Sequence, residues 1–321
     1  MSRGEGWLFA VPDPDGFRKW VRENKPVARM DKRMDEREAV RKFVGPGDYL
    51  ATDMYGMVRG PMSLVREIIR QRPGRLAIAG QGGMEIDMLV ASGLVDRIDG
   101  IYIGHEVFGL SNSYRRAAES GKVRVTEWSN AALAWRLKAA AMGIPYIPAR
   151  TMLGTDTFKK SAAATGQCPF SGETLCLLPA LEVDVGIIHV HRCDKYGNAQ
   201  IDGTAGVGFE LARASRKLIL STEKVVAESA IRREPERTII PHYLVDAVVE
   251  APFGAHPGEM CYHYSMDRAR VTEYLKAMET EKGGKAYLDK YVLGARTHAD
   301  YLELVGGRKQ MGKLARCCRG R

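Results

Sequence analysis

Cysteine is scarce and scattered: Cys168, Cys176, Cys193, Cys261, Cys317 and Cys318 in 321 residues, with no Cys-x-x-Cys pair. That excludes a disulfide scaffold and makes reduced thiols the expectation. No apolar run approaches the ~18 residues that a membrane span requires, and the start, Met1 to Trp7, lacks the apolar centre of a signal peptide. The chain is therefore expected to be soluble and cytoplasmic, with no membrane partner. Also missing are the Walker Lys-Ser/Thr, the Gly-x-Gly-x-x-Gly fingerprint, the Gly-x-Ser-x-Gly elbow and His-Glu-x-x-His. No repeat of 20 to 50 residues is present, so solenoids are out.

What is present is a globular composition, 45% hydrophobic and 27% charged, which supports a large core. The net charge of +9 is unevenly placed: residues 308–321 carry +6, residues 1–37 carry +2, and the body between them only +1. The expectation is a nearly neutral globular domain with a solvated, frayed basic tail and no nucleic-acid partner. The chain divides into an extension (1–30), a main domain (31–307) and the tail (308–321).

Helical spacing over 34–44 stops at Gly45-Pro46-Gly47, and a short strand follows at Tyr49 to Thr52. Pro61 opens a helix over 62–72. Next come a strand at Leu76 to Ala79, a loop Gly80-Gln81-Gly82-Gly83, a helix over 84–92 and a strand at Gly100 to Ile103. The alternation continues with a helix near 112–120, a strand over 123–126, a helix over 131–142 closed by Gly143, and a strand at Tyr146-Ile147. Beyond a polar, Gly-rich stretch (154–174), strands are read at 183–190, 217–221 and 244–249, with a helix near 207–214 and helices over the last 55 residues. This rhythm predicts an α/β fold: an open, mostly parallel sheet with helices on both faces and a helical C-terminal part.

Ligands of such sheets bind beyond the carboxyl ends of the strands. Three segments fall there. Gly80 to Gly83 offers backbone amides for a phosphate, a carboxylate or a thioester oxygen, or forms a plain tight turn. His105 and Glu106, after the strand at 100–103, form an acid/base couple or a satisfied cap. Ser129 or Asn130 is the expected N-cap of the following helix, and the same position projects an amide toward a bound carbonyl. His189, His191 and Cys193 alternate along one strand, a spacing compatible with a metal. With no fourth ligand evident they read as ordinary buried residues, and no metal is expected.

Larger segments carry a resemblance. Glu127-Trp-Ser-Asn-Ala-Ala-Leu133 with Ala139-Ala-Ala-Met-Gly-Ile-Pro145, Val183-Asp-Val-Gly-Ile-Ile-His189 with Asp194-Lys-Tyr-Gly-Asn198, and Val245-Asp-Ala-Val-Val-Glu-Ala-Pro-Phe-Gly-Ala-His-Pro257 resemble the A (alpha) component of family I coenzyme A transferases of the glutaconate type. The resemblance spans about residues 31–305. It implies a heteromeric, α2β2 enzyme whose B subunit supplies a catalytic glutamate, so that no catalytic residue is expected in this chain. The glutamate attacks an acyl-CoA, expected to be dicarboxylic, and passes CoA through a glutamyl thioester to an acceptor carboxylic acid. Coenzyme A thioester is then a substrate, and no tightly bound cofactor is implied. Glu119-Ser-Gly121 is similar to the context of that nucleophile but reads as a helix end.

On this view Arg59, Gln81, Gly82, Gly83, His105, Glu106, Ser129 and Asn130 contact the substrate. Related alpha chains commonly carry Gln at the place of Asn130, and Met54 to Pro61 replaces a loop that usually holds more glycine. A ring-cleaving acyl-CoA hydrolase of steroid degradation shares the resemblance, but its alpha chain is expected to carry an acid near 130. A third alternative is a non-catalytic phosphate-sensing or assembly subunit of Rossmann-like fold.

Overall fold

Val183–Val190 is buried at every position except Asp184, a pattern that only a strand covered on both faces can satisfy. In the computed structural model, which describes residues 2–53 and 56–318, this strand lies in a seven-stranded sheet. The strands are β1 (Tyr49–Thr52), β2 (Leu76–Gly82), β3 (Val95–Ile103), β4 (Arg124–Glu127), β5 (Val183–Val190), β6 (Ser215–Thr222) and β7 (Ala247–Glu250). Their order is β7-β6-β5-β1-β2-β3-β4, and every pairing is parallel. The sheet is open and covered by helices on both faces.

The chain enters at the middle strand and runs outward to β4. It then returns to the other side of β1, where Leu50 pairs with Val185 as well as with Ile78. The strand order thus reverses between β1 and β5. Side-chain alternation feeds two cores. Leu50, Ile78, Val185 and Ile219 face the helices Glu36–Phe43, Met62–Gln71 and Met84–Ala91 and the C-terminal helices, while Ala51, Ala79, Ile188 and Leu220 face Asn130–Met142 and Gly208–Ala214.

Several expectations are corrected. Strand β2 runs through Gly82, with a register shift between Gly80 and Gly82, so Gln81 lies at a strand end rather than in a free loop. Tyr146–Ala149 does not extend the parallel sheet. It is the edge of a separate antiparallel sheet with Thr174–Pro179 and Ala164–Gln167, the second and third strands lying in or beside the stretch read as polar loop. Pro148 suits such an edge, where a missing N–H is tolerated. A second antiparallel sheet joins Arg192–Cys193, Ala199–Gln200 and Thr238–Ile240.

The basic tail is not frayed over its described part. Gly307–Cys318 is a helix that buries Met311 and Leu314 against the C-terminal helices, leaving Lys309, Lys313 and Arg316 along an open groove. Arg319, Gly320 and Arg321 lie outside the described residues. The first thirty residues also dock: Gly4 and Gly6 donate to Ala163 and Ser161, Phe17 is buried, and Lys25 Nζ reaches Asp246 at 2.7 Å. Among the described residues no helix is long and apolar enough to cross a membrane.

Candidate functional site

The reversal of strand order opens a crevice at the carboxyl ends of β1, β2 and β3, where an open parallel sheet takes its ligand. A cavity of about 420 Å³ lies there. Thr52, Ala79, Gly80 and Gln81 form its floor, with Ile101 beside them. The helix Asn130–Met142 supplies one wall through Asn130, Leu133, Ala134 and Leu137. Thr204, Gly206 and Val207 close the other side. None of these lining residues is acidic, basic, histidine or cysteine.

That helix forms where it does for local reasons. Ser129 accepts from the Ala132 amide at 3.2 Å, an alanine-rich run follows, and Gly143 stops it at φ +70°. Ser129 is therefore the cap, and Asn130 is the first helical residue, exposed at the mouth of the cavity. Beneath it Arg136 binds Asp99 at 2.6 Å and stacks on Trp128 at 3.9 Å, fastening the helix to β3.

A second arginine fixes the floor. Arg59 is wholly buried at φ +56° and donates to Asp53 (2.8 Å) and to the carbonyls of His189 (2.9 Å), Thr204 (3.1 Å) and Ala205 (3.0 Å). Its guanidinium is thus taken up by protein and it is not among the lining residues. Gly206, at φ +59°, brings the loop so close that a Cβ would stand 2.5 Å from the Asp53 carbonyl oxygen. The hydroxyl of Thr52 and one carboxyl oxygen of Asp53 are buried without a partner among the described residues. Burial pushes the Asp53 carboxyl up, against the pull of Arg59.

Of the residues singled out from the sequence, the structure brings Gln81 and Asn130 together on the cavity. Gly82 is buried against Ile103, and Gly83 starts the helix Met84–Ala91 with its amide donating to Glu85 at 3.2 Å. Burial pushes that Glu85 carboxyl up to about 7. His105 and Glu106 do not form a couple at the site. Glu106 is exposed, at φ +52°, whereas His105 is fully buried beside Tyr274, with both ring nitrogens unpartnered among the described residues and its pKa lowered by burial. Met54 and Tyr55, in the loop expected to be glycine-rich, lie outside the described residues.

Sequence reading missed Thr52, Thr204 and Val207. Thr52 closes a short strand, and its place at the reversal depends on β5, more than a hundred residues later. The 204–207 loop has no periodic signal at all.

The alternating residues of β5 and its extension are accounted for by protein. His189 bonds Ser221 through Nδ1 (2.9 Å) and Glu223 through Nε2 (2.8 Å). His191 accepts from the Asp202 amide at Nδ1 (3.0 Å) and meets the Cys261 carbonyl at Nε2 (2.9 Å). His191, Asp202 and His263 place potential ligand atoms within 4.8 Å of one another. Both His191 nitrogens are already engaged, however, and Asp202 is bound by Arg192 at 2.6 Å and Arg237 at 3.0 Å. This donor set does not suit a metal.

Comparison with known proteins adds the following. The model of the coenzyme A transferase family matches residues 33–251. An uncharacterized protein of Archaeoglobus fulgidus is 51% identical over 319 residues, covering 98% of this chain and 71% of that protein. The alpha component (A) of glutaconate CoA-transferase from Acidaminococcus fermentans is 30% identical over 296 residues, covering 86% and 92%. The crystal structure of glutaconate coenzyme A-transferase from that organism superposes with a TM-score of 0.85, at 28% identity over 88% of this chain and 95% of that one. The cholesterol ring-cleaving hydrolase IpdA subunit of Mycobacterium tuberculosis is 30% identical over 265 residues, covering 78% and 89%.

Proposed function

The chain belongs to the coenzyme A transferase family, and on that premise we propose that it is the A (alpha) component of a heteromeric, cytoplasmic CoA-transferase. A B subunit, in an α2β2 assembly, supplies the nucleophilic glutamate. The observation that carries this reading is the cavity itself: it lies at the strand reversal and is lined by hydroxyls, amides and alkyl groups, with no carboxylate among its lining residues. Family membership makes the chain part of an enzyme, and sets aside the non-catalytic alternative.

In the proposed reaction the partner's carboxylate attacks the thioester carbonyl and expels CoA thiolate, leaving an acyl-glutamyl anhydride. The thiolate attacks the glutamyl carbonyl of that anhydride and releases the donor acid as its carboxylate. An acceptor carboxylate then runs the sequence in reverse on the glutamyl-CoA thioester. This chain's part is to meet the developing oxyanion with the side-chain amides of Gln81 and Asn130, beside the alkyl walls of the cavity.

Co-expression with the partner and assay of CoA exchange between two acids tests the proposal: the chain alone is expected to be inert and the complex active. A glutamyl thioester on the partner should be trapped by borohydride when acyl-CoA is given without an acceptor. The similarity to the hydrolase supports a second reading, in which water takes the place of the acceptor acid. Asn130 weighs against it, because an amide is no general base. Fast CoA release without acceptor, and no trapped adduct, would favour the hydrolase.

A further inference from the structure

Arg59, which braces the loop beside the cavity, and Arg136, on its wall helix, are both turned into the protein. Arg59 is wholly buried, with its donors on Asp53 and three carbonyls. Arg136 lies between Leu133 and Leu137 on the same helix, 1% exposed, donating to Asp99 at 2.6 Å and the Pro179 carbonyl at 3.0 Å. What lines the cavity from that helix is Asn130 and Ala131 at its start and the alkyl side chains of Leu133, Ala134 and Leu137 beyond them, with Val207 and Ile101 adding to the apolar lining. The polar groups are neutral donors and acceptors, enough for a thioester carbonyl and not for a second full charge. With no cation among the described lining residues to receive it, a carboxylate on the acyl chain would lose its hydration against alkyl walls, a cost that an uncharged acyl group escapes.

From this lining we infer that the enzyme selects an uncharged acyl group, a short aliphatic acyl-CoA, in place of the dicarboxylic substrate that the family resemblance implies. The inference rests on reading the cavity as the acyl site. It assigns selectivity to this chain and leaves the exchange chemistry to the shared active site.

The test uses the co-purified complex of this chain with its partner and two thioesters of equal chain length, butyryl-CoA and succinyl-CoA, which differ by one terminal carboxylate. Calorimetric titration should give butyryl-CoA a Kd lower by about 30-fold or more, the scale on which an unpaired polar group is rejected by an apolar pocket. Equal affinity, or tighter binding of succinyl-CoA, overturns the inference. Ala134→Arg, at a half-buried position on the cavity wall, should shift the ratio toward succinyl-CoA by about tenfold or more, with its thermal melt confirming the fold. A folded variant with an unchanged ratio also overturns it. Exchange of CoA into acetate, measured on the same preparation, judges the transferase reading separately: selective binding without turnover would sink the chemistry and leave the acyl preference standing.

Discussion

Replacing Arg136 by methionine removes the cation that holds the cavity's wall helix to the sheet. The pair it forms with Asp99 is 99% buried on both sides, at 2.6 Å. Removing one partner of such a pair costs about 3–5 kcal/mol, because the remaining charge is stranded. Asp99 keeps two donors, the Trp128 indole N–H at 3.0 Å and the Tyr49 hydroxyl, which places Arg136→Met near the lower end, about 3 kcal/mol. For a chain of this length, roughly 2 °C of Tm per kcal/mol makes that a drop of about 6 °C. Urea titration followed by circular dichroism measures the free energy directly. The double variant Arg136→Met/Asp99→Asn should recover at least half of the loss, since it removes the stranded charge as well. A loss under about 1 kcal/mol for the single variant, or no recovery in the double, would refute the reasoning.

Asn130→Ala should lower kcat/KM of the complex by roughly 10- to 1000-fold while leaving the melt within a degree, since Asn130 is exposed and is not the cap. Ser129→Ala should instead cost about 1 kcal/mol of stability through the lost Ala132 bond, read by urea titration. Gly83→Ala puts a Cβ 2.7 Å from the Gly56 carbonyl oxygen, so melting temperature and activity should fall together; an unchanged Tm would show that the loop yields freely. Burial holds His298 down to about 3 and His191 down to about 4, against about 6.5 when unfolded. The unfolded chain therefore takes up protons first. Their contribution is complete above about pH 6.5 and is lost as pH falls from there through 4 to 3, so Tm should decline over that window, and less steeply in His298→Gln.

The parallel sheet was legible because strands such as β1 and β2 are short apolar runs bounded by turn residues and followed by a helix with recognisable ends. Gly143 and Pro61 punctuate the chain as local rules require. The two small antiparallel sheets were not, since Ala164–Gln167 is half exposed and carries no apolar face, and Tyr146-Ile147 alone does not say which sheet it joins. Helices were expected over the last 55 residues, but the docking of the terminal one was hidden by its charge: Met311 and Leu314, one turn apart, hold it down among four basic residues. At the site, Gln81 and Asn130 could be found because each sits where a strand ends and a helix begins. Thr52 could not, since what makes it special is which strand returns beside it. His105 looked functional for the same local reason as Asn130, and only the packing of Tyr274 over it reveals that it faces inward.

The buried guanidinium of Arg59 reaches the end of β1 through Asp53, the end of β5 through the His189 carbonyl, and the loop at 204–205. These belong to opposite halves of a sheet whose halves share only the β1–β5 seam. One side chain therefore acts as a rivet across that seam. On the proposed function, a substrate meets walls whose spacing this rivet helps to set, with Asn130 at the rim. Selection by such an enzyme is a matter of what fits an existing shape, and drift in its preference over evolution would run through the side chains of the wall while the rivet stays in place.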